Sequence, residues 1–114
     1  MNTNMIENSH AVVKIAGNLD GQKSDELMIA VEKQIIPGNV DVLVDFENVD
    51  YISSMGIGTL ISLYRDIKEK NGYLILYGIR DAVKDIFDRT HLNKRLIICD
   101  TEKDALDYLR NKHN

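Results

Sequence analysis

Two adjacent serines, Ser53 and Ser54, are the residues of this chain whose type and setting favour chemistry. They stand between an apolar segment that ends at Ile52 and a stretch of helical periodicity that begins near Met55. A serine hydroxyl here can accept a hydrogen bond from the free N–H groups of the first helical turn. It can also carry a phosphate, because a helix N-terminus offers N–H donors and a positive dipole end to a dianion. The residues alone leave capping and phosphorylation open.

Two glycines, Gly56 and Gly58, follow the serines within the first turns of the expected helix. Glycine in a helix costs roughly 0.5–1 kcal/mol relative to alanine, so each position needs a reason. The pair either keeps the backbone uncovered for the approach of another protein or lets the helix pack tightly on a sheet. Spacing alone does not choose between these two interpretations.

Enzyme chemistry finds little support in the same segment. The nucleophile elbow of hydrolases needs glycine two residues before the serine, and Ile52 occupies that position for Ser54. The glycines are not followed by the glycine-lysine-serine/threonine run of a phosphate-binding loop. The histidines are far apart, and the last is expected in a frayed tail: His10, His91 and His113. We therefore expect no catalytic residue, no cofactor and no metal site.

Composition limits the remaining classes of function. A chain of 114 residues is expected to form one domain over residues 1–114. The net charge is −4, with 18 acidic against 14 basic residues and no evident basic cluster, which argues against nucleic acid as a partner. We expect no membrane span, because no run approaches about 18 apolar residues. The first residues lack the basic and apolar regions of a secretory signal. Cys99 is the one cysteine and is expected to be a buried reduced thiol. Both features predict a cytoplasmic protein.

Hydrophobic periodicity predicts the element order β-β-α-β-α-β-α-β-α. A hairpin of two short strands opens the chain, and Ser24 is the expected N-cap of the first helix. The order predicts an α/β domain with a small mixed sheet, parallel central strands, an antiparallel edge and about four helices. The predicted strands cover residues 4–7, 10–16, 42–46, 73–77 and 96–99.

The segment Val49-Asp50-Tyr51-Ile52-Ser53-Ser54-Met55-Gly56-Ile57-Gly58-Thr59-Leu60 resembles the signature of the STAS domain, in its bacterial anti-sigma-factor antagonist branch. Further matches extend the resemblance over nearly the whole chain, through Gly17-Asn18-Leu19-Asp20, the strand 42–46, and residues 82–92. The element order is also that of the family. Ser53 stands where many members have aspartate, and Met55 where they usually have serine, threonine or alanine.

The resemblance implies a phosphorylation switch, with Ser54 as the phosphoacceptor. The unphosphorylated domain would bind an anti-sigma factor that is also a serine kinase of the histidine-kinase-like ATPase fold, and so free a sigma factor. Phosphorylation of Ser54 would end the binding, and a PP2C-type phosphatase would restore it. The implied partner-binding surface is Asp20, Ser53, Ser54, Met55, Gly56, Ile57 and Gly58.

The family resemblance also leaves an alternative. The domain could be an interaction module in another signalling assembly or a subunit of a lipid transporter, because function lies in the site rather than the fold. The retained Ser54 favours the phosphorylation switch. The bulkier Met55 beside it is expected to influence which kinase docks.

Overall fold

Parallel strands form the sheet of this computed structural model, which describes residues 10–38 and 40–113. The four described strands of the sheet lie side by side in chain order, so the second and third are central. All described pairings are parallel, as predicted for the centre of the sheet. The predicted strand over residues 4–7 lies outside the described residues, so the antiparallel edge stays a prediction. The strands are β1 (His10–Leu19), β2 (Asp41–Ile52), β3 (Leu74–Tyr77) and β4 (Ile97–Cys99).

Four helices connect and follow the described strands, which confirms the predicted α/β class. Side chains of the first three helices pack with one face of the sheet in a large cluster, and the fourth helix packs on the opposite face. A short 3-10 turn, Leu92–Lys94, precedes β4. Within the described residues, no helix combines the length and apolar content that spanning a bilayer requires. The helices are α1 (Gly21–Gln34), α2 (Ser54–Glu69), α3 (Asp81–Arg89) and α4 (Glu102–His113).

The core follows from the alternation of side chains along the central strands. Val44 and Phe46 of β2 face the α1–α3 layer, whereas Leu43 faces α4. Each of the three is fully buried. A strand covered on both faces is expected to read as a continuous apolar run, and this confirms the interpretation of residues 42–46 as a central strand.

The beginning of α1 corrects one prediction. Ser24 is not the N-cap; it is buried inside the helix, and Asp20 caps the helix by accepting a hydrogen bond from the Lys23 amide at 3.0 Å. The strand predicted over residues 10–16 was also too short, since β1 continues to Leu19. Gly17 adopts φ +83° next to a shift in strand register, so the glycine bends the strand instead of ending it.

The end of the chain corrects another. His113 is not in a frayed tail: it belongs to α4, and its Nε2 lies 2.6 Å from Oδ2 of the buried Asp41. Its ring also packs edge-on against Tyr73, with the centroids 5.6 Å apart. The other Asp41 oxygen accepts from the Tyr73 amide at 2.9 Å. The last turn of α4 is therefore fastened to the beginning of β2.

Candidate functional site

The site lies where β1 and β2 end side by side and each strand gives way to a helix. Leu19 and Ile52 are register neighbours in the parallel pair. The Ser53 amide donates to the Leu19 carbonyl at 3.0 Å, which continues the pairing by one residue. Asp20 and Ser53, the N-caps of α1 and α2, therefore follow directly from two neighbouring strand ends. The fold thus brings together the two segments that the sequence selected.

The Ser53 side chain makes two hydrogen bonds that stabilise this corner. Its half-buried hydroxyl accepts a hydrogen bond from the Gly56 amide at 3.2 Å, as a helix N-cap does. The same hydroxyl donates to the Leu19 carbonyl at 3.1 Å. Capping, one of the two roles that the sequence left open, therefore belongs to Ser53.

Ser54 has a different environment. It is the first residue of α2 and is exposed, and its hydroxyl makes no hydrogen bond with any described residue. The side chain lines a groove of about 300 Å³ between the beginning of α2 and the end of α3. The Ser54 oxygen is thus accessible and has no structural duty in the described part of the chain.

Exposed apolar side chains accompany Ser54 in the sequence and on the surface. Met55 is 62% exposed and Tyr51 is 52% exposed, which are high fractions for such large residues. The Met55 sulfur packs close to Gly21, the first residue of α1. A Cβ placed on Gly21 would be only 3.2 Å from this sulfur. Ile57, in contrast, is half-buried and packs against the core. Two large exposed apolar groups beside an accessible serine make this corner a candidate protein-binding surface.

The two glycines of α2 have different roles. A Cβ on Gly56 would lie 2.6 Å from the Leu19 carbonyl oxygen and 2.8 Å from Cγ1 of Ile52, so this buried position admits glycine alone without movement. A Cβ on the exposed Gly58 would meet nothing within 4 Å. Tight packing therefore explains Gly56, and the uncovered backbone that the sequence suggested is found only at Gly58.

Asp20 is exposed, and its Oδ1 accepts from the Lys23 amide. Asp20 is therefore the N-cap of α1, the role that was predicted for Ser24. Its second oxygen makes no hydrogen bond with a described residue, so the carboxylate still presents an acceptor and a negative charge at this corner.

Sequence reasoning did not select Arg89 and Thr90, which line the groove opposite Ser54. Arg89 forms an exposed ion pair with Asp85 at 3.4 Å, one helical turn earlier. Thr90 donates its hydroxyl to the Ile86 carbonyl at 2.8 Å. They had no distinguishing signal in the sequence, because a cation followed by a polar residue is an ordinary helix C-terminus.

Arg80 supports the site from outside the groove. Its guanidinium forms an ion pair with Asp50, and its Nε donates to the Glu47 carbonyl at 2.7 Å. These contacts join the last part of β2 to the residue before α3. They connect the end of β2, which is followed by Ser53 and Ser54, to α3, which forms the other wall of the groove.

The perturbed ionisable groups lie elsewhere. Burial, with the nearby carboxylates of Asp104 and Asp100, raises the pKa of the Cys99 thiol. Burial and the neighbouring Asp45 raise the pKa of Tyr77. No group of three or more His, Cys, Asp and Glu side chains in the described ranges is arranged to hold a metal ion.

Known proteins resemble this chain in sequence and in fold. The anti-sigma-B factor antagonist of Listeria monocytogenes is 22% identical over 96 residues, 84% of each chain. The structure of an anti-sigma factor antagonist from Mycobacterium paratuberculosis has a TM-score of 0.78 at 21% identity, over 92% of this chain and 89% of the other. The phosphorylated Bacillus cell fate determinant SpoIIAA has a TM-score of 0.67 at 20% identity, covering 93% and 96%.

The family model gives the assignment directly. The model of the STAS domain matches residues 2–105, which include both strand ends, both caps and the groove beside Ser54. This confirms the resemblance drawn from the sequence, and the chain belongs to the STAS domain family.

Proposed function

We propose that this chain is an anti-sigma factor antagonist. Its unphosphorylated form binds an anti-sigma factor and so frees a sigma factor, and a phosphate on Ser54 ends that binding. Membership of the STAS family and the names of the relatives support this proposal. So does the likeness in fold to SpoIIAA, whose structure is known with and without its phosphate.

The different environments of the two serines are the observation on which the proposal depends. Ser53 holds the helix cap with both its donor and its acceptor, so modifying it would break contacts of the fold. Ser54 is exposed and its hydroxyl is free of described hydrogen bonds. A kinase can therefore reach Ser54 without unfolding the helix, and Ser54 is the acceptor that we propose.

The proposed docking surface joins this serine to its neighbours. Met55 supplies exposed apolar area, and Gly58 lets a partner backbone come close. Ser53, Gly56 and Ile57 shape the surface from below, since each is partly or fully buried. Asp20, at the start of the neighbouring helix, adds a negative charge. We expect the apolar part to give most of the affinity and the charge to set orientation.

The phosphate would act on the partner and leave the fold intact. A phosphoserine carries about −1.5 to −2 charges at pH 7, and the first turn of α2 favours negative charge. A partner fitted to a neutral serine beside Met55 would face added bulk and a strongly hydrated dianion. On this proposal the bound anti-sigma factor is also the serine kinase, of the histidine-kinase-like ATPase fold, and a PP2C-type phosphatase reverses the reaction. The chain then acts as substrate and switch in the cytoplasm.

The decisive experiment is phosphorylation with the anti-sigma factor kinase encoded in the same genome, followed by mass spectrometry. We expect a single phosphate on Ser54 in the native chain and in Ser53→Thr, which keeps a capping hydroxyl. We expect none in Ser54→Ala. A phosphate on Ser53 alone, or none on any residue, would contradict the site.

Binding of the kinase is measured separately, by calorimetry without ATP. Ser54→Asp should abolish binding while circular dichroism shows an intact fold. The matched control is Asn93→Asp, which adds the same charge at an exposed position in the 3-10 turn before β4 and should bind normally. If Ser54→Asp binds as well as the control, charge at this position is not the switch.

A further inference from the structure

A second groove, far from Ser54, gathers four cationic side chains from two distant parts of the sequence. It lies between the second half of α2 and the turn that precedes β4, and has a volume of about 330 Å³. Its floor is apolar, with Ile61 and Leu96 beside the ring of Tyr64. The cations at its rim are Arg65, Lys68, Lys94 and Arg95. We call these four residues and the floor the basic groove.

The cations of the basic groove are not neutralised by the described part of the chain. All four are exposed, and none forms an ion pair with a described acid. One of them makes a cation–π contact within the groove, where the Lys68 ammonium lies 5.7 Å from the ring centroid of Tyr64. Other exposed cations, such as Lys33 and Lys84, also lack an ion pair with a described acid, so these four differ in being gathered around one groove. Like charges placed together repel, so an anionic partner would stabilise this arrangement.

The shape and burial of the basic groove restrict that partner. Ile61 and Tyr64 are half-buried and Leu96 is buried, so no apolar side chain protrudes as insertion into a membrane would require. The cations are all exposed, whereas a site for a small anion is expected to enclose it. Extended nucleic acid would also meet the rest of a chain whose acids outnumber its bases by four. An acidic protein segment with interspersed apolar side chains fits both the charged rim and the apolar floor.

We propose that the basic groove is a docking site for an acidic segment of a partner protein, with its carboxylates on the four cations and an apolar side chain on the floor. The cations of the groove lie apart from the serine corner, the name that we give to Leu19, Asp20, Ser53 and Ser54 where β1 and β2 end. Ser54 and Lys68 are at opposite ends of α2, about 21 Å apart along the helix axis at 1.5 Å per residue. The cations at that end of the groove are therefore distant from Ser54, and Ile61 of the floor is the part of the groove nearest to Gly58.

The test measures binding of a short fluorescent peptide of glutamates and leucines at helical spacing, by anisotropy with the full chain. Arg65→Glu with Arg95→Glu should weaken binding by about tenfold or more, since two attractive pairs become repulsive. The matched control, Lys33→Glu with Lys84→Glu, reverses two exposed cations without ion pairs elsewhere and should change binding less than about twofold. Circular dichroism checks that both double variants are folded.

Further probes decide the occupant. An all-glutamate peptide of equal length should bind at least several-fold more weakly, because it leaves the floor uncovered. Equal binding of this peptide, or tighter binding of inorganic phosphate, single-stranded RNA or anionic vesicles, would overturn the proposal. So would a dimer in sedimentation that Arg65→Glu with Arg95→Glu dissociates, since a second copy would then be the occupant. Ser54→Asp should leave peptide binding unchanged, which separates this result from the fate of the proposed switch.

Discussion

The two glycines of α2 allow a sharp test of how the serine corner is built. They are two residues apart in one helix, and the same change to alanine should have opposite effects. At Gly58 the new methyl group meets nothing within 4 Å. Alanine is favoured over glycine inside a helix by about 0.8–1.0 kcal/mol. Gly58→Ala should therefore stabilise the domain by up to about 1 kcal/mol.

Gly56→Ala should destabilise it. The methyl group would lie 2.6 Å from the Leu19 carbonyl oxygen, so strand and helix must separate by several tenths of an ångström. That oxygen also accepts the amide and hydroxyl hydrogens of Ser53 at 3.0 and 3.1 Å, and the separation strains both bonds. Overpacking costs about 1–3 kcal/mol, and weakened hydrogen bonds add to it. After the gain in helix propensity, we expect a net loss of about 1–3 kcal/mol.

Urea denaturation followed by circular dichroism measures both changes. The two urea midpoints should move in opposite directions with similar m-values. In thermal denaturation, the melting temperatures should differ by about 4–8 °C per kcal/mol of difference in stability. If both variants are stabilised, or if Gly56→Ala is neutral, the close approach of α2 to the end of β1 does not hold. A Gly58→Ala variant that is stable but binds the anti-sigma factor kinase poorly would support the role of Gly58 in the proposed surface.

The other predictions concern single side chains. Ser53→Ala should lower the free energy of unfolding by about 1–2 kcal/mol in urea denaturation, because the cap and the bond to Leu19 are lost. Ser54→Ala should change it by no more than about 0.5 kcal/mol. Equal effects of the two variants would contradict the different roles of the two serines. His113→Ala should speed hydrogen exchange in the last turns of α4, because the contact with Asp41 is lost. Since the pKa of Cys99 is raised, its alkylation by iodoacetamide at pH 7.5 should be slower in the folded chain than in urea.

The sequence was sufficient for the fold because its signals are local and agree with one another. The run from Val42 to Phe46 predicted a central strand, and the two serines before helical periodicity predicted the start of α2. Both predictions are confirmed. Prediction was wrong where two residues of similar propensity compete, as at the start of α1, where Asp20 and Ser24 are both good N-caps. The strand end at Leu19 decides this, because it leaves Asp20 in the extended conformation that a cap needs.

Features that depend on distant contacts could not be predicted in this way. His113 has no sequence neighbour that fixes it; its partner Asp41 is 72 residues away. The basic groove was invisible for the same reason, since Arg65 and Arg95 come from separate elements and the sequence shows no cluster of cations. Likewise, helix spacing did not distinguish Gly56 from Gly58, because only the position of β1 makes one of them crowded.

The serine corner explains how one residue can change its charge without cost to the fold. The fold uses the backbone of Leu19 and the hydroxyl of Ser53 to close the corner, so nothing in the described structure depends on the Ser54 oxygen. The first turn of α2 favours a negative charge there. Across the groove, Arg89 forms an exposed and therefore weak ion pair with Asp85. On the proposed function, a phosphate at Ser54 therefore finds a favourable field within its own domain. The phosphate would instead weaken the binding of a protein that packs against the surface around Ser54.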